Sequence, residues 1–506
     1  MRHKALTCSL RRLMLRSSQA ICLILCFWAP LLLGLFTVEQ SAAQLGKPSA
    51  NLICPAQLSA GIEAIVGRPQ LRRARWGILI QTLSPSLTIY SRDAQQYFVP
   101  ASNAKLLTTA AALDQLGAQF RIRTSVYSSD DGALRVMGRG DPSLTDTQLT
   151  ELAQQLSRQG LRQVSQLIAE DDYFRGLAVN PSWEWEDVQS DYGAAVNSLI
   201  LNQNAVELRL FPQALGQPLR AVWTDPTEAA QWQIEDEAIA VRSDEPASIS
   251  VSRDIGKPVL HLKGQLDVNS EAESVSLAVL DPAGHFLQHF RNALAVQKIA
   301  TKQAVVATRL HLGSSVVREL AAVESPPLSQ LLVETNQNSN NLYAEALLRT
   351  LGVSLGNPST NTEATNEVGL RVVRATLTKL GVDPNGYVLA DGSGLSRHDL
   401  VSPEALVQTL KVMARSPEAV VYRASLPVAG ISGTLQNRFR NTPAQGILQA
   451  KTGSMSGIAA ISGYLDYPNY EPLVFSMIVN QSDQSATVLR QALDEIALSL
   501  TQLHRC

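Results

Sequence analysis

Helix and strand signals of one kind recur at both ends of this chain and change character in its middle, and this constrains the fold more than any other feature. From 75 to 92, RWGILIQTLSPSLTIYSR predicts two strands around a Ser-Pro turn, and SNAKLLTTAAALDQLG (102–117) predicts a helix. Pro100 precedes that helix, Ser102 offers an N-cap and Gly117 closes it; its Ala and Leu interior predicts burial. Residues 120–144 and 205–320 hold short runs such as RIRTSVYSS, AVELRLF and SVSLAVL separated by turn residues, the pattern of antiparallel sheet. From about 325 helices return in NNLYAEALLRTLG and NEVGLRVVRATLTKLG. Three strands follow in ILQAKTGS, GIAAISGYLDYP and PLVFSMIVNQ, then a closing amphipathic helix. The simplest architecture is a multi-domain α/β protein with one domain made from both termini, 44–120 with 325–506. A β-rich domain, 121–147 with 215–324, and a second small α/β domain, 148–214, are inserted between them.

With 506 residues, 45% hydrophobic and 17% charged, the chain has ample material for several cores. A formal net charge of -2 gives no basic excess, which argues against a sequence-independent grip on nucleic acid. Small or neutral partners are expected.

The amino terminus reads as an export signal. Arg2, Lys4, Arg11, Arg12 and Arg16 precede the uncharged run ICLILCFWAPLLLGLFTV, and Ser41 and Ala43 supply the small residues before a cut near Gln44. The alternative is a retained anchor, against which Pro30 and the small-residue site both argue. Three of the five cysteines leave with residues 1–43. Cys54 and Cys506 remain, near the two ends of the mature chain, and an oxidising compartment permits a bridge between them; the alternative is two unpaired thiols.

Lys105 is the only lysine with a serine three positions before it, Ser102 at the start of the buried helix. Residues three apart share a helix face, so Nζ and Oγ can converge, and an amine stripped of water takes a hydroxyl proton more readily. Alone, such a pair arises by chance. Ser339-Asn340-Asn341 opens a later helix and offers a hydroxyl and an amide, although it is also an N-cap signal. Lys451-Thr452-Gly453-Ser454 lies on a strand, where the lysine can face a cleft and the glycine can admit a substrate backbone; its ordinary reading is an edge strand with a gatekeeper lysine.

The three segments in this order resemble the signature of penicillin-binding proteins and serine β-lactamases. Over nearly its whole mature length the chain resembles the D-Ala-D-Ala carboxypeptidase/endopeptidase family, the class C low-molecular-mass penicillin-binding proteins. The stretch from Ser102 to Ser339 is much too long for a simple β-lactamase, and this family carries two inserted domains there. DGSGLSRHDLVSP (391–403), GISGTLQNRF (430–439), GRGDPSL (138–144) and WEWEDVQSDYGA (183–194) look familial as well.

The resemblance implies an acylated nucleophile at Ser102 with Lys105 as its base, and a proton relay at Ser339. Asn341 would hold the substrate amide, and Lys451 with Thr452 the relay and the terminal carboxylate. The N–H groups of Ser102 and Ser454 would form an oxyanion hole. A pocket for a diaminopimelyl side chain falls on Asp187, Tyr192 and Arg397. Asn340 departs from the family, where Asp is frequent. The implied protein is an exported serine DD-peptidase without metal or other cofactor, in the periplasm or on the outer face of the cytoplasmic membrane. Its partners would be peptidoglycan peptides ending in D-Ala-D-Ala, with β-lactams as inhibitors and a peripheral association with membrane or wall. The competing readings are a β-lactamase, a catalytically silent envelope scaffold, and a metallopeptidase built on His285-Phe-Leu-Gln-His289. In the last, Phe286 stands where the base Glu is needed and the segment falls among strands, so these histidines are read as structural or exposed.

Overall fold

A computed structural model describes residues 52–129, 132–254, 257–307, 316–354 and 363–506, and the expected export signal at 1–43 lies outside them. Five antiparallel strands join the two ends of the chain in the order Leu448–Met455, Ile458–Leu465, Leu473–Asn480, Arg75–Thr82, Thr88–Arg92. Ile458–Leu465 and Leu473–Asn480 are buried at every position. That explains their continuous apolar sequence, because helices cover both faces of the sheet. Beneath it, Ile78, Ile80, Phe475 and Met477 share a core with Leu58 and Ile62 of helix Pro55–Val66 and with Leu493 and Ile496 of helix Ala486–Leu500. Above it, Leu79, Val474 and Ile478 meet Leu106 and Leu107, Leu331, Leu347, Val373 and Leu406, one or two from each of five helices.

The central helix of that upper layer is Lys105–Leu116, buried from Lys105 through Leu113. It starts later than its sequence suggests. Ala101–Ala104 forms a 3₁₀ turn that runs directly into it, and the Ser102 side chain caps nothing. The turn continues with helical angles through Ala104, so no N-cap geometry arises, and the Ser102 hydroxyl meets Lys105 instead.

The inserted region builds a mixed sheet in the order Ala300–Ala307, Gln163–Glu170, Leu134–Met137, Arg123–Ser129, Val316–Glu324. Helices Asp146–Arg158 and Pro282–Val296 pack on it through Leu149, Leu152, Phe286 and Phe290. Two smaller sheets made from 205–278 share a separate core around Leu208, Leu210, Leu260 and Leu262. The nesting differs from the expected division at 148 and 214. Gln163–Glu170 runs parallel to both Leu134–Met137 and Ala300–Ala307, so it belongs with strands on either side of the β-rich segment. Parallel neighbours need crossovers, and helices Asp146–Arg158 and Pro282–Val296 supply them.

Helix Pro282–Val296 was itself not expected among strands. Asp281 caps it by accepting from the Gly284 amide at 3.1 Å, Pro282 takes the first turn, and Phe286, Leu287, Phe290 and Leu294 form its buried face.

Cys54 and Cys506 are joined as a disulfide with Cα atoms 5.8 Å apart, beside a backbone bridge between Ile53 and Leu503. Among the described residues no helix is long and apolar enough to cross a membrane.

Candidate active site

Lys105 is fully buried and points back along its own turn, with Nζ 2.9 Å from Ser102 Oγ. It donates also to Asn341 Oδ1 at 2.6 Å and to the Ser393 carbonyl at 2.7 Å. All three acceptors are neutral. Burial lowers its pKa to about 7, and the carboxylates of Asp391, Glu345 and Asp399 pull the other way. Near neutral pH a substantial share of the amine is therefore unprotonated and able to accept a proton.

Ser339 lies between helices Leu328–Gln337 and Asn341–Ser354 with a left-handed backbone, φ 62°. This places its Oγ 2.8 Å from Lys451 Nζ, which donates in addition to the Thr452 carbonyl at 2.7 Å. Lys451 is on the sheet's edge strand, yet it is fully buried, which excludes a gatekeeper role. Burial, reinforced by the charge of Lys105, holds its pKa well below the usual lysine range. Two amine–hydroxyl pairs thus belong to one cleft of about 420 Å³, lined by Ser102, Ser339, Asn341 and Ser454.

Asn341 ties the Lys105 pair to the inserted region, since its Oδ1 accepts from Lys105 and its Nδ2 donates to the Tyr192 carbonyl at 2.8 Å. Asn340 fits its amide: Nδ2 donates to Gln203 Oε1 at 2.6 Å and to Glu334 Oε1 at 3.2 Å. A carboxylate there would face Glu334 and lose both donations, which is a physical reason for the departure from Asp.

Two glycines set the serine's position. A Cβ on Gly394, φ +80°, would lie 1.9 Å from the Ala101 carbonyl oxygen, and Ala101 itself is held at φ 47°. A Cβ on Gly453 would lie 2.8 Å from the Pro100 oxygen and 3.0 Å from the Ser102 nitrogen. The protein's own backbone therefore already requires a glycine at 453. Ser454 follows at the mouth of the cleft, and Thr452 Oγ1 donates to Thr434 Oγ1 at 2.7 Å.

Asp187, Tyr192 and Arg397 line the same cleft. Tyr192 donates its hydroxyl to Asp187 Oδ1 at 3.2 Å, whereas Arg397 pairs with Glu184 at 2.9 Å and reaches the Ser456 carbonyl at 3.3 Å. Asp187 Oδ2 is buried without a hydrogen-bond partner, and burial raises the Asp187 pKa. An unpaired carboxylate oxygen and a guanidinium on one cleft suit a ligand carrying both an amine and a carboxylate.

Sequence reasoning missed the acidic shell behind Lys105. Asp391 accepts from the Gly394 and Ser396 amides at 2.6 and 2.7 Å and from Trp183 Nε1 at 2.8 Å, which fixes the loop carrying the Ser393 carbonyl. Glu345 accepts from the Gly392 amide at 2.8 Å, and burial with Asp391 nearby raises its pKa to about 7. Asp399 is raised well above the usual range, again chiefly by burial. The signal available was the acidic spacing in DGSGLSRHD; Glu345 carried none.

This α/β architecture, with a sheet closed by both ends of the chain and helices on its two faces, is the fold of a solved penicillin-binding protein. The crystal structure of penicillin binding protein 4 from Haemophilus influenzae matches with a TM-score of 0.74 at 23% identity, covering 89% of this chain and 98% of that one. Its complex with a β-lactam matches with a TM-score of 0.71 at 22% identity, covering 88% and 100%. The D-Ala-D-Ala carboxypeptidase 3 (S13) family model matches residues 58–502, and the chain belongs to that family. A D-alanyl-D-alanine carboxypeptidase of Actinomadura sp. (strain R39) is 32% identical over 466 residues, 88% of this chain and 85% of that protein.

Proposed function

We propose that this chain is a serine D-Ala-D-Ala carboxypeptidase acting through an acyl-enzyme on Ser102. The observation that carries the reading is the fully buried Lys105 amine 2.9 Å from Ser102 Oγ, with its pKa brought to about 7. Lys105 takes the Ser102 proton as Oγ attacks the carbonyl of the penultimate D-Ala. The N–H groups of Ser102 and Ser454 receive the developing oxyanion. Ser339, bonded to Lys451, passes a proton to the leaving D-Ala amine, and Asn341 holds the peptide amide. Thr452 and Lys451 attract the terminal carboxylate. Water then cleaves the ester and Ser102 recovers its proton. On a cross-linked peptide the same steps split D-Ala from the diaminopimelate of its neighbour. A β-lactam acylates Ser102 by the same attack and leaves slowly.

In this reading Asp187, Tyr192 and Arg397 bind the free end of a diaminopimelyl side chain, its amine toward Asp187 and its carboxylate toward Arg397. The protein is exported by residues 1–43 to the bacterial envelope, in the periplasm or on the outer face of the cytoplasmic membrane, with a peripheral association with membrane or wall. The charged-then-apolar amino terminus and the Cys54–Cys506 bridge support this placement. The inserted region is read as an α/β domain with a β-rich domain set inside it, supported by their separate cores.

The test is incubation with an acyl-peptide ending in D-Ala-D-Ala and with a cross-linked muropeptide dimer, followed by chromatography of the products. Release of D-alanine by the wild type and none by Ser102→Ala supports the reading. Folded wild type that leaves both peptides intact overturns it.

A further inference from the structure

Away from the cleft, His285 and His289 lie four residues apart on helix Pro282–Val296 and so share one face, with ring centroids 4.2 Å apart. Asp225, from the loop after strand Arg220–Trp223, meets them, and one ligand-capable atom from each of the three residues lies within 4.8 Å of the other two. Each side chain is oriented by a partner of its own. His285 Nδ1 is 3.0 Å from Glu228 Oε1, whose carboxylate is almost fully buried and takes a further donation from Trp232 Nε1 at 3.1 Å. His289 Nδ1 is 2.7 Å from Asp146 Oδ1. Asp225 Oδ1 accepts from the Thr227 amide and hydroxyl at 2.9 and 2.8 Å, which leaves Oδ2 to stand 2.8 Å from His289 Nε2.

The consequence lies in the tautomers. At His285 the carboxylate at Nδ1 makes that nitrogen the donor and leaves Nε2 with a lone pair, whereas His289 has a carboxylate at each nitrogen, so its proton can sit on either. With the His289 proton on Nδ1 toward Asp146, Nε2 and Asp225 Oδ2 face each other 2.8 Å apart as two acceptors, an arrangement that a cation between them relieves. At His285 the Nε2 is buried and has no hydrogen-bond partner, in a residue only 5% exposed. Three carboxylates, Asp146, Asp225 and Glu228, surround the two imidazoles, which makes the cluster attractive to a cation. His285, His289, Asp225 and Asp146 line one cavity of about 390 Å³, which gives an ion a way in.

We propose that Asp225 Oδ2, His285 Nε2 and His289 Nε2 bind a divalent transition-metal ion of the zinc class. Glu228 and Asp146 orient the two histidines, and one coordination position remains for water. Two imidazoles and one carboxylate are the donor set that such ions favour over calcium or magnesium. The site is structural in placement. Asp225 belongs to the β-rich segment and the histidines to the α/β segment, so the ion clips the two together, far in sequence from Ser102. Phe286 stands where a metallopeptidase has its glutamate, and this proposal assigns the ion no part in peptide cleavage.

The experiment uses the full mature protein, with its disulfide intact, stripped with a chelator and dialysed against zinc chloride. A His504→Gln variant, which keeps the disulfide, serves as control for metal captured beside Cys54 and Cys506. Bound zinc is measured by mass spectrometry of the acid digest, and the visible spectrum is recorded with cobalt(II) substituted. One equivalent of zinc in the wild type and in His504→Gln is expected. Asp225→Asn and His289→Gln should lose about 10–100-fold or more in zinc affinity, as weakened ligand sets do, while both variants still react with benzylpenicillin. Zinc should also raise the melting temperature of the wild type and not of the two variants. Folded wild type that binds no zinc, or variants that bind it with unchanged stoichiometry and affinity, would overturn the proposal.

Discussion

The amine of Lys105 donates to the Ser102 hydroxyl at 2.9 Å from a position with no solvent exposure, and its other two acceptors are a side-chain amide and a backbone carbonyl. No acceptor in that set carries a charge that would hold the amine protonated. With the pKa lowered to about 7 by burial, Lys105 is protonated and inactive as a base below that value and competent above it. Acylation by benzylpenicillin should therefore rise with pH through about 7 and then level off. Lys105→Arg should lower the second-order acylation rate by about 10²–10⁴-fold, the range of a lost general base, and remove the step. A pH series of acylation rates with a fluorescent penicillin measures both. A wild-type profile that is flat through neutrality would assign the base elsewhere.

Gly453 is required by the backbone of Pro100 and Ser102, so Gly453→Ala should displace the nucleophile and its backbone N–H while leaving every other side chain of the cleft in place. Its Cβ, 3.0 Å from the Ser102 nitrogen, forces the 3₁₀ turn outward by a few tenths of an ångström. The expected result is a fall in acylation rate of about 10²-fold, comparable to a misplaced reacting group, with a folded protein by circular dichroism. A variant that acylates at the wild-type rate would show that the turn has slack.

How much of this was legible follows the sequence separation of the contacts. Ser102 with Lys105, and Lys451 on its strand, carry their chemistry within a turn or a strand, where spacing is informative. The Ser393 carbonyl reaches Lys105 across 288 residues, and the Thr434 hydroxyl meets Thr452 only after the chain has folded around it. Ser102 read as an N-cap because serine before an apolar helix usually is one, but the 3₁₀ turn spends the hydroxyl on Lys105. Helix Pro282–Val296 was legible in principle from Asp281-Pro282 and the spacing of Phe286, Phe290 and Leu294, yet strand signals on both sides masked it. The nesting of the inserted segments rests on parallel pairings such as Ile168 with Val305, and local sequence has no access to those.

Arg397 pairs with a half-exposed Glu184, an interaction that contributes little to stability, so Arg397→Ala should leave the melting temperature nearly unchanged. Its effect should appear in substrate choice. For a peptide with a free diaminopimelyl end, kcat/KM should fall by about 10–100-fold, the weight of a charge-assisted hydrogen bond. Acylation by benzylpenicillin, which has no such end, should be nearly unaffected. Parallel assays on the two substrates separate these effects, and an equal loss on both would make Arg397 a support for the loop and remove it from the specificity pocket.

The most direct measurement is the intact mass of the purified mature protein with and without benzylpenicillin, alongside Ser102→Ala. One penicilloyl adduct on the wild type, absent from a folded Ser102→Ala control, is the predicted result. A folded wild type that takes up no adduct and does not hydrolyse the drug, or an adduct that persists when Ser102 is gone, would contradict the assignment of Ser102 and Lys105 as the reacting pair.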